Sequence, residues 1–119
     1  MRTRSGSPGG STWGRKAIAA VGRLRPDVLV LDLELPGMDG FDVLEIARWC
    51  SPTTAVLILL RGEQEALTVQ ALICGAMGCL VKDERAELAT AIRVVRRGEV
   101  WGRRRIVARV IEELVERIE

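Results

Sequence analysis

The sequence has 119 residues, enough for one domain, and 48% of them are hydrophobic, which excludes a wholly disordered chain. The 18 basic and 16 acidic residues leave a net charge of only +2, which by itself gives no indication of a nucleic-acid-binding protein. Histidine is absent, so Ser-His or Cys-His catalysis, phosphohistidine chemistry and most zinc sites are excluded. No apolar run approaches the roughly 20 residues that span a bilayer, and we expect a soluble, cytoplasmic protein with reduced, buried cysteines.

The N-terminal part of the chain changes character at about residue 15. Residues 1–14 are rich in Gly, Ser and Arg and have no hydrophobic periodicity, so we predict a flexible tail. Residues 16–24 carry apolar side chains at helical spacing and predict a helix that ends before Pro26. The apolar run 28–33, with Asp32 near its end, predicts a strand buried on both faces.

Helical and extended patterns alternate through the rest of the chain. After a loop at Pro36 and Gly37, the predicted elements are a helix over 41–49 capped by Asp39, a strand over 55–60, a helix over 63–74, a strand over 79–81 and a helix over 84–97. This alternation indicates an α/β fold with parallel strands and right-handed crossovers. A last amphipathic helix over 103–119 has one apolar stripe, formed by Ile106, Val110, Leu114 and Ile118.

Three residues end the predicted strands, and the carboxyl ends of parallel strands gather at one edge of a sheet. These residues are Asp32, Leu60 and Lys82. A carboxylate can attack a phosphoryl group to give an acyl phosphate, and an ammonium group can hold the transferred oxygens. From the spacing alone, a surface ion pair without chemistry explains Asp32 and Lys82 equally well.

Two motifs around this pair are more specific. The stretch Asp32–Gly40 reads DLELPGMDG after Arg25-Pro26-Asp27, and Gly75–Asp83 reads GAMGCLVKD. Together they resemble the receiver domains of bacterial response regulators, above all the NarL/LuxR type, over about residues 15–101. The resemblance implies a flavodoxin-like (CheY-like) parallel sheet with flanking helices and a role in two-component signalling rather than as an enzyme. It further implies that Asp32 is the phosphoacceptor, that Lys82 contacts the phosphate, and that a sensor histidine kinase or another signalling protein is the partner.

The sequence also departs from that family. The family's first strand, which ends in two acidic residues that help to hold Mg²⁺, and its second strand have no counterpart here. Asp32, with Glu34 or its backbone, is then expected to hold Mg²⁺ only weakly. Leu60 and Cys79 stand where the family has its switching hydroxyl and aromatic residues. These departures predict impaired Mg²⁺-dependent phosphorylation.

The absence of a counterpart to the family's first strand also affects the expected assembly of the chain and the alternative functions. An unpaired edge at 28–33 predicts a homodimer or a partner bound across that edge or through the C-terminal helix over 102–119, which resembles the subfamily's linker to a DNA-binding domain. No helix-turn-helix pattern follows, so we expect no direct contact with nucleic acid, nor with a membrane. A phosphorylation-independent interaction module, a small α/β enzyme using Asp32 and Lys82, and a fragment of a longer regulator remain as alternatives.

Overall fold

The computed structural model describes residues 19–34 and 39–118, in which three parallel strands form one sheet. The strands are β1 (Val28–Asp32), β2 (Ala55–Leu60) and β3 (Gly78–Val81), in the spatial order β1-β2-β3. The register sets Asp32 opposite Leu59 and Leu60 opposite Val81, so all three strands end at the same edge. The predicted parallel sheet is therefore confirmed.

Helices connect and flank these strands. They are α1, described over 19–24, α2 (Gly40–Cys50), α3 (Glu65–Ile73), a 3₁₀ segment η1 (Lys82–Glu87), α4 (Leu88–Arg96) and α5 (Arg104–Ile118). Asp39 caps α2 as predicted, since its Oδ1 accepts hydrogen bonds from the backbone N–H groups of Phe41 at 3.0 Å and Asp42 at 3.3 Å. The predicted tail over 1–14 and the loop at Pro36 and Gly37 lie outside the described residues.

The central strand β2 is covered on both faces, as its continuous apolar run requires. The predicted two-sided burial is wrong for β1, where Leu31 is buried but Val30 is 38% exposed. On one face, side chains of β1 and β2 pack with α2 and α3; the buried members of this cluster include Leu31, Leu44, Val56, Ile58, Leu60 and Ala71. On the other face, Leu57 packs with Ala91 and Val95 of α4. Asp32 ends β1, and Lys82 directly follows β3 at the same edge of this sheet.

The helix predicted over 84–97 is wrong in its first part. The chain forms η1 there, and Glu84 has non-helical backbone angles, φ −98° and ψ 31°. The Glu84 side chain accepts a hydrogen bond from the backbone N–H of Val81 at 3.2 Å. Because this contact satisfies the amide at the end of β3, the segment turns tightly before α4 begins at Leu88.

The predicted stripe along the last helix divides into two parts. Ile106 and Val110 are buried against Val69 of α3, whereas Leu114 and Ile118 are 41% and 83% exposed. In the described part of the chain, α3 covers the first half of α5, and the second half of α5 extends past the end of α3. No described helix is long and apolar enough to span a membrane.

Candidate functional site

Asp32 and Lys82 meet at the carboxyl edge of the sheet. Asp32 is the last residue of β1, and Lys82 directly follows β3 as the first residue of η1. The Lys82 Nζ lies 2.6 Å from Asp32 Oδ2, with the two side chains 38% and 18% exposed. Because β2 lies between β1 and β3, the ion pair bridges the end of the central strand. The predicted proximity of the two side chains is confirmed.

The second oxygen of Asp32 is held as well. Its Oδ1 accepts a hydrogen bond from the backbone N–H of Glu34 at 3.0 Å. Both oxygens of the carboxylate are thus engaged, while its side chain remains 18% exposed.

Glu34 joins the loops that follow β1 and β2. Its Oε1 accepts a hydrogen bond from the backbone N–H of Arg61, and its Oε2 accepts one from the Gln64 side chain at 3.2 Å. Sequence reasoning named Glu34 only as a weak metal ligand and missed Arg61 and Gln64. Both residues lie in the loop after β2, at the same edge as Asp32, and this position in the sequence could have indicated that they belong to the site.

These residues do not fit a magnesium ion. Mg²⁺ requires near-octahedral oxygen coordination and is usually held by carboxylates with open lone pairs. Here Asp32 is paired with Lys82, and both oxygens of Glu34 already accept hydrogen bonds. Among residues 19–34 and 39–118, no group of three Cys, Asp or Glu side chains could hold a metal.

Of the two substituted switch positions, Leu60 is buried and Cys79 is partly buried. Leu60 is 1% exposed and packs in the core beneath the site. Burial raises the pKa of the Cys79 thiol to about 12, and a hydrogen bond with Thr68 acts in the opposite direction. Cys79 is therefore protonated at neutral pH and is no nucleophile. The expectation of buried cysteines is wrong: Cys74 is exposed at the end of α3, and Cys50 and Cys79 are only partly buried.

Comparison with known proteins decides the family. The model of the response regulator receiver domain matches residues 10–93. The chain belongs to the receiver domain family of two-component response regulators. The transcriptional regulatory protein YxjL of Bacillus subtilis is 32% identical over 101 residues, which cover 84% of this chain and 46% of that protein. NarL of Mycobacterium tuberculosis is 38% identical over 80 residues, which cover 66% of this chain and 37% of that protein.

Solved receiver structures share the fold. A LuxR-family response regulator from Aurantimonas sp. superposes with a TM-score of 0.71 at 28% identity, covering 86% of this chain and 74% of that chain. The NarL receiver domain of M. tuberculosis gives 0.65 at 36% identity, covering 72% of this chain and 70% of that chain. These neighbours confirm the CheY-like α/β fold of NarL/LuxR type.

The receiver spans less than half the length of these curated regulators. One relative is an enzyme, a protein-glutamate methylesterase of Geobacter sulfurreducens, 40% identical over 74 residues. The match covers 62% of this chain and 20% of that protein. The likeness to the methylesterase therefore concerns a minor part of it.

Proposed function

We propose that this receiver takes a phosphoryl group on Asp32 and that it does so slowly, without an efficient magnesium site. The contact of 2.6 Å between Lys82 Nζ and Asp32 Oδ2 is the observation that carries the proposal. A carboxylate nucleophile and an ammonium group adjacent to it are the two parts of phosphoryl transfer that the described residues provide.

In the transfer, an Asp32 carboxylate oxygen attacks the phosphorus atom of the donor. The bond between phosphorus and the leaving atom of the donor breaks, and an acyl phosphate forms on Asp32. The leaving atom is a ring nitrogen when the donor is a phosphohistidine and a carboxylate oxygen when the donor is acetyl phosphate. Before the transfer the Lys82 ammonium is paired with the Asp32 carboxylate. After the transfer it pairs with the oxygens of the phosphoryl group. A sensor histidine kinase in the cytoplasm is the expected donor, and a small acyl phosphate can replace it in the laboratory.

Slow transfer follows from two features of the site. The oxygens of Asp32 and Glu34 are already engaged by donors, and among residues 19–34 and 39–118 Lys82 is the cation that contacts Asp32. Leu60 presents an aliphatic side chain at the end of β2 and donates no hydrogen bond to the phosphoryl group. Preorganised donors of that kind commonly contribute two or more orders of magnitude in rate.

The test is incubation with acetyl phosphate, followed by intact-protein mass spectrometry. We expect one phosphoryl adduct that accumulates slowly, that depends weakly on added Mg²⁺, and that is absent in Asp32→Asn. Asp27→Asn is the matched control, because Asp27 lies at the opposite end of β1 and pairs with Arg96 on the surface. An adduct in Asp32→Asn, or none in the native chain after prolonged incubation, would contradict the proposal.

We also propose that the chain pairs with a second copy of itself through the exposed half of α5. Ile111, Leu114, Val115 and Ile118 are 56%, 41%, 49% and 83% exposed. Ile111, Leu114 and Ile118 follow the alternating three- and four-residue spacing of a coiled-coil seam.

Sedimentation velocity tests this pairing at micromolar concentration. The native chain should sediment as a dimer and Leu114→Glu as a monomer, while Glu112→Gln on a neighbouring face should remain dimeric. In the described part of the chain, β1 pairs only with β2, so its free edge is the competing interface. A Leu114→Glu variant that stays dimeric would assign the contact to that edge and overturn the proposal.

A further inference from the structure

The Glu34 carboxylate already occupies hydrogen-bond donors at the edge where a phosphoryl group would be bound. Four donors are grouped there around Asp32: the Lys82 ammonium and the backbone N–H of Glu34, which both contact Asp32, and the backbone N–H of Arg61 and the Gln64 amide. The last two donate to the Glu34 carboxylate. The Glu34 carboxylate, itself an anion, therefore already accepts hydrogen bonds from two of these four donors.

The geometry makes this carboxylate a neighbour of the reacting group. The backbone N–H of Glu34 is hydrogen-bonded to Asp32 Oδ1 at 3.0 Å, which holds the residue against the nucleophile. Its side chain then turns across the edge of the sheet to the amide that follows Leu60. Backbone N–H groups in such loops are typical anion-binding groups, and a second negative charge in the same place is repelled.

We infer that Glu34 is an internal competitor of the phosphodonor: its carboxylate must leave the Arg61 amide before the phosphoryl group can bind there. This inference rests on the proposed function of Asp32 and adds a residue that sets how readily that function is used. The bond changes are those of the transfer itself, since Glu34 forms and breaks only hydrogen bonds. The same contacts could serve a purely structural role, in which Glu34 only holds together the loops that follow β1 and β2; we call this role the loop tie. The experiment separates the loop tie from competition with the phosphodonor.

The first measurement is the rate of phosphorylation by acetyl phosphate as a function of its concentration. Glu34→Gln keeps the size of the side chain and removes the charge. We expect a lower half-saturating concentration and a rate about fivefold higher at low donor, the effect of one like charge at close range near a protein surface. Glu63→Gln is the matched control, because it removes a charge two residues after Arg61 that contacts Arg103 at 3.0 Å; its rate should equal the native rate.

A second variant isolates the loop tie. Gln64→Ala breaks the hydrogen bond to Glu34 Oε2 and leaves the carboxylate charge in place. If Glu34 acts only by tying the loops, Gln64→Ala and Glu34→Gln loosen the same contact and change the rate to a similar extent. Competition predicts a much larger acceleration in Glu34→Gln, because the carboxylate charge stays beside the Arg61 amide in Gln64→Ala.

The third measurement needs no chemical step. Inorganic phosphate is titrated into the protein and the backbone amide signal of Arg61 is followed by NMR. The signal should shift with phosphate in Glu34→Gln and respond at severalfold lower concentration than in the native chain. Equal responses of the two proteins, or equal phosphorylation kinetics, would overturn the inference.

These outcomes are distinct from a failure of the proposed function. If neither the native chain nor Glu34→Gln forms an adduct that Asp32→Asn removes, the phosphoacceptor role itself fails, and the inference fails with it. If both form it on Asp32 at the same rate and half-saturation, the role of Asp32 stands and only the competition by Glu34 is excluded.

Discussion

Among the ion-paired carboxylates of this receiver, Asp32 and Glu65 lie in different surroundings. Asp32 stands at a strand end, 18% exposed, with one ammonium at 2.6 Å. Glu65 stands on α3 and is held by two guanidinium groups of α5, those of Arg105 and Arg109, each at 2.8 Å. The first pair lies where parallel strands present groups to a ligand, and the second joins two helices.

The difference shows why a charge pair alone does not identify a site. Hydrogen bonding by Arg109 lowers the pKa of Glu65, and its two oxygens face donors on a neighbouring helix. Asp32 is fixed by Lys82 and by a backbone amide, and its surroundings continue into the donors around Arg61. Placement on the sheet edge, more than the strength of pairing, makes Asp32 the candidate for chemistry.

The largest effect that separates the two pairs is expected for Lys82→Met. Loss of the only described ammonium beside Asp32 should slow adduct formation with acetyl phosphate about a hundredfold, in the range reported for a removed oxyanion donor. Arg109→Met, at the other pair, should leave the rate as it is. Similar slowing in both variants would show that the sheet edge has no special role.

A smaller effect is expected for Leu60→Thr, which restores a hydroxyl beneath the site. Leu60 is 1% exposed within the main core, so the change removes buried aliphatic contact and buries a polar group. We expect a loss of about 2 kcal/mol in the free energy of unfolding, measured by urea denaturation. An unchanged midpoint would mean that the core at the strand end is looser than the packing indicates.

The smallest effect is expected for Glu65→Gln. The Tm should fall by no more than a few degrees and the difference should shrink at high salt, since the pair is exposed. Because the pKa of Glu65 is lowered from 4.5 in the folded state, its contribution is present above that value and is lost as pH falls through the folded pKa.

Thermal scans across acidic pH check this sign. The Tm difference between the native chain and Glu65→Gln should be constant near neutrality and decrease below about pH 4.5. A difference that grows on acidification would contradict the assignment of the pair to stability, while the adduct rate of Glu65→Gln should match that of the native chain throughout.

Much of the fold could be predicted because apolar runs and periodicity directly reflect burial. The strand over 55–60 matches β2, and Asp32 and Lys82 were brought together by the rule that parallel strands end at one edge. Periodicity could not reveal η1, because that turn depends on a hydrogen bond between the Glu84 side chain and the Val81 amide.

Contacts between distant segments account for the rest. The apolar stripe on α5 could be seen in the sequence. Its burial depends on where α3 ends, because α3 covers Val110 and leaves Leu114 exposed. Glu34 was recognised as an acid beside Asp32, and only the loop conformation directs its carboxylate to Arg61. The division of the chain at residues 101 and 102 stays a prediction.

Locating the phosphoryl group tests the central claim most directly. After treatment with acetyl phosphate, borohydride reduction of the acyl phosphate marks the modified aspartate, and peptide mass spectrometry identifies it. We expect a single marked residue, Asp32, with the mark strongly reduced at the same incubation time when Lys82 is replaced by Met. A mark on another carboxylate, or its complete absence from the peptide that contains Asp32, would contradict the account.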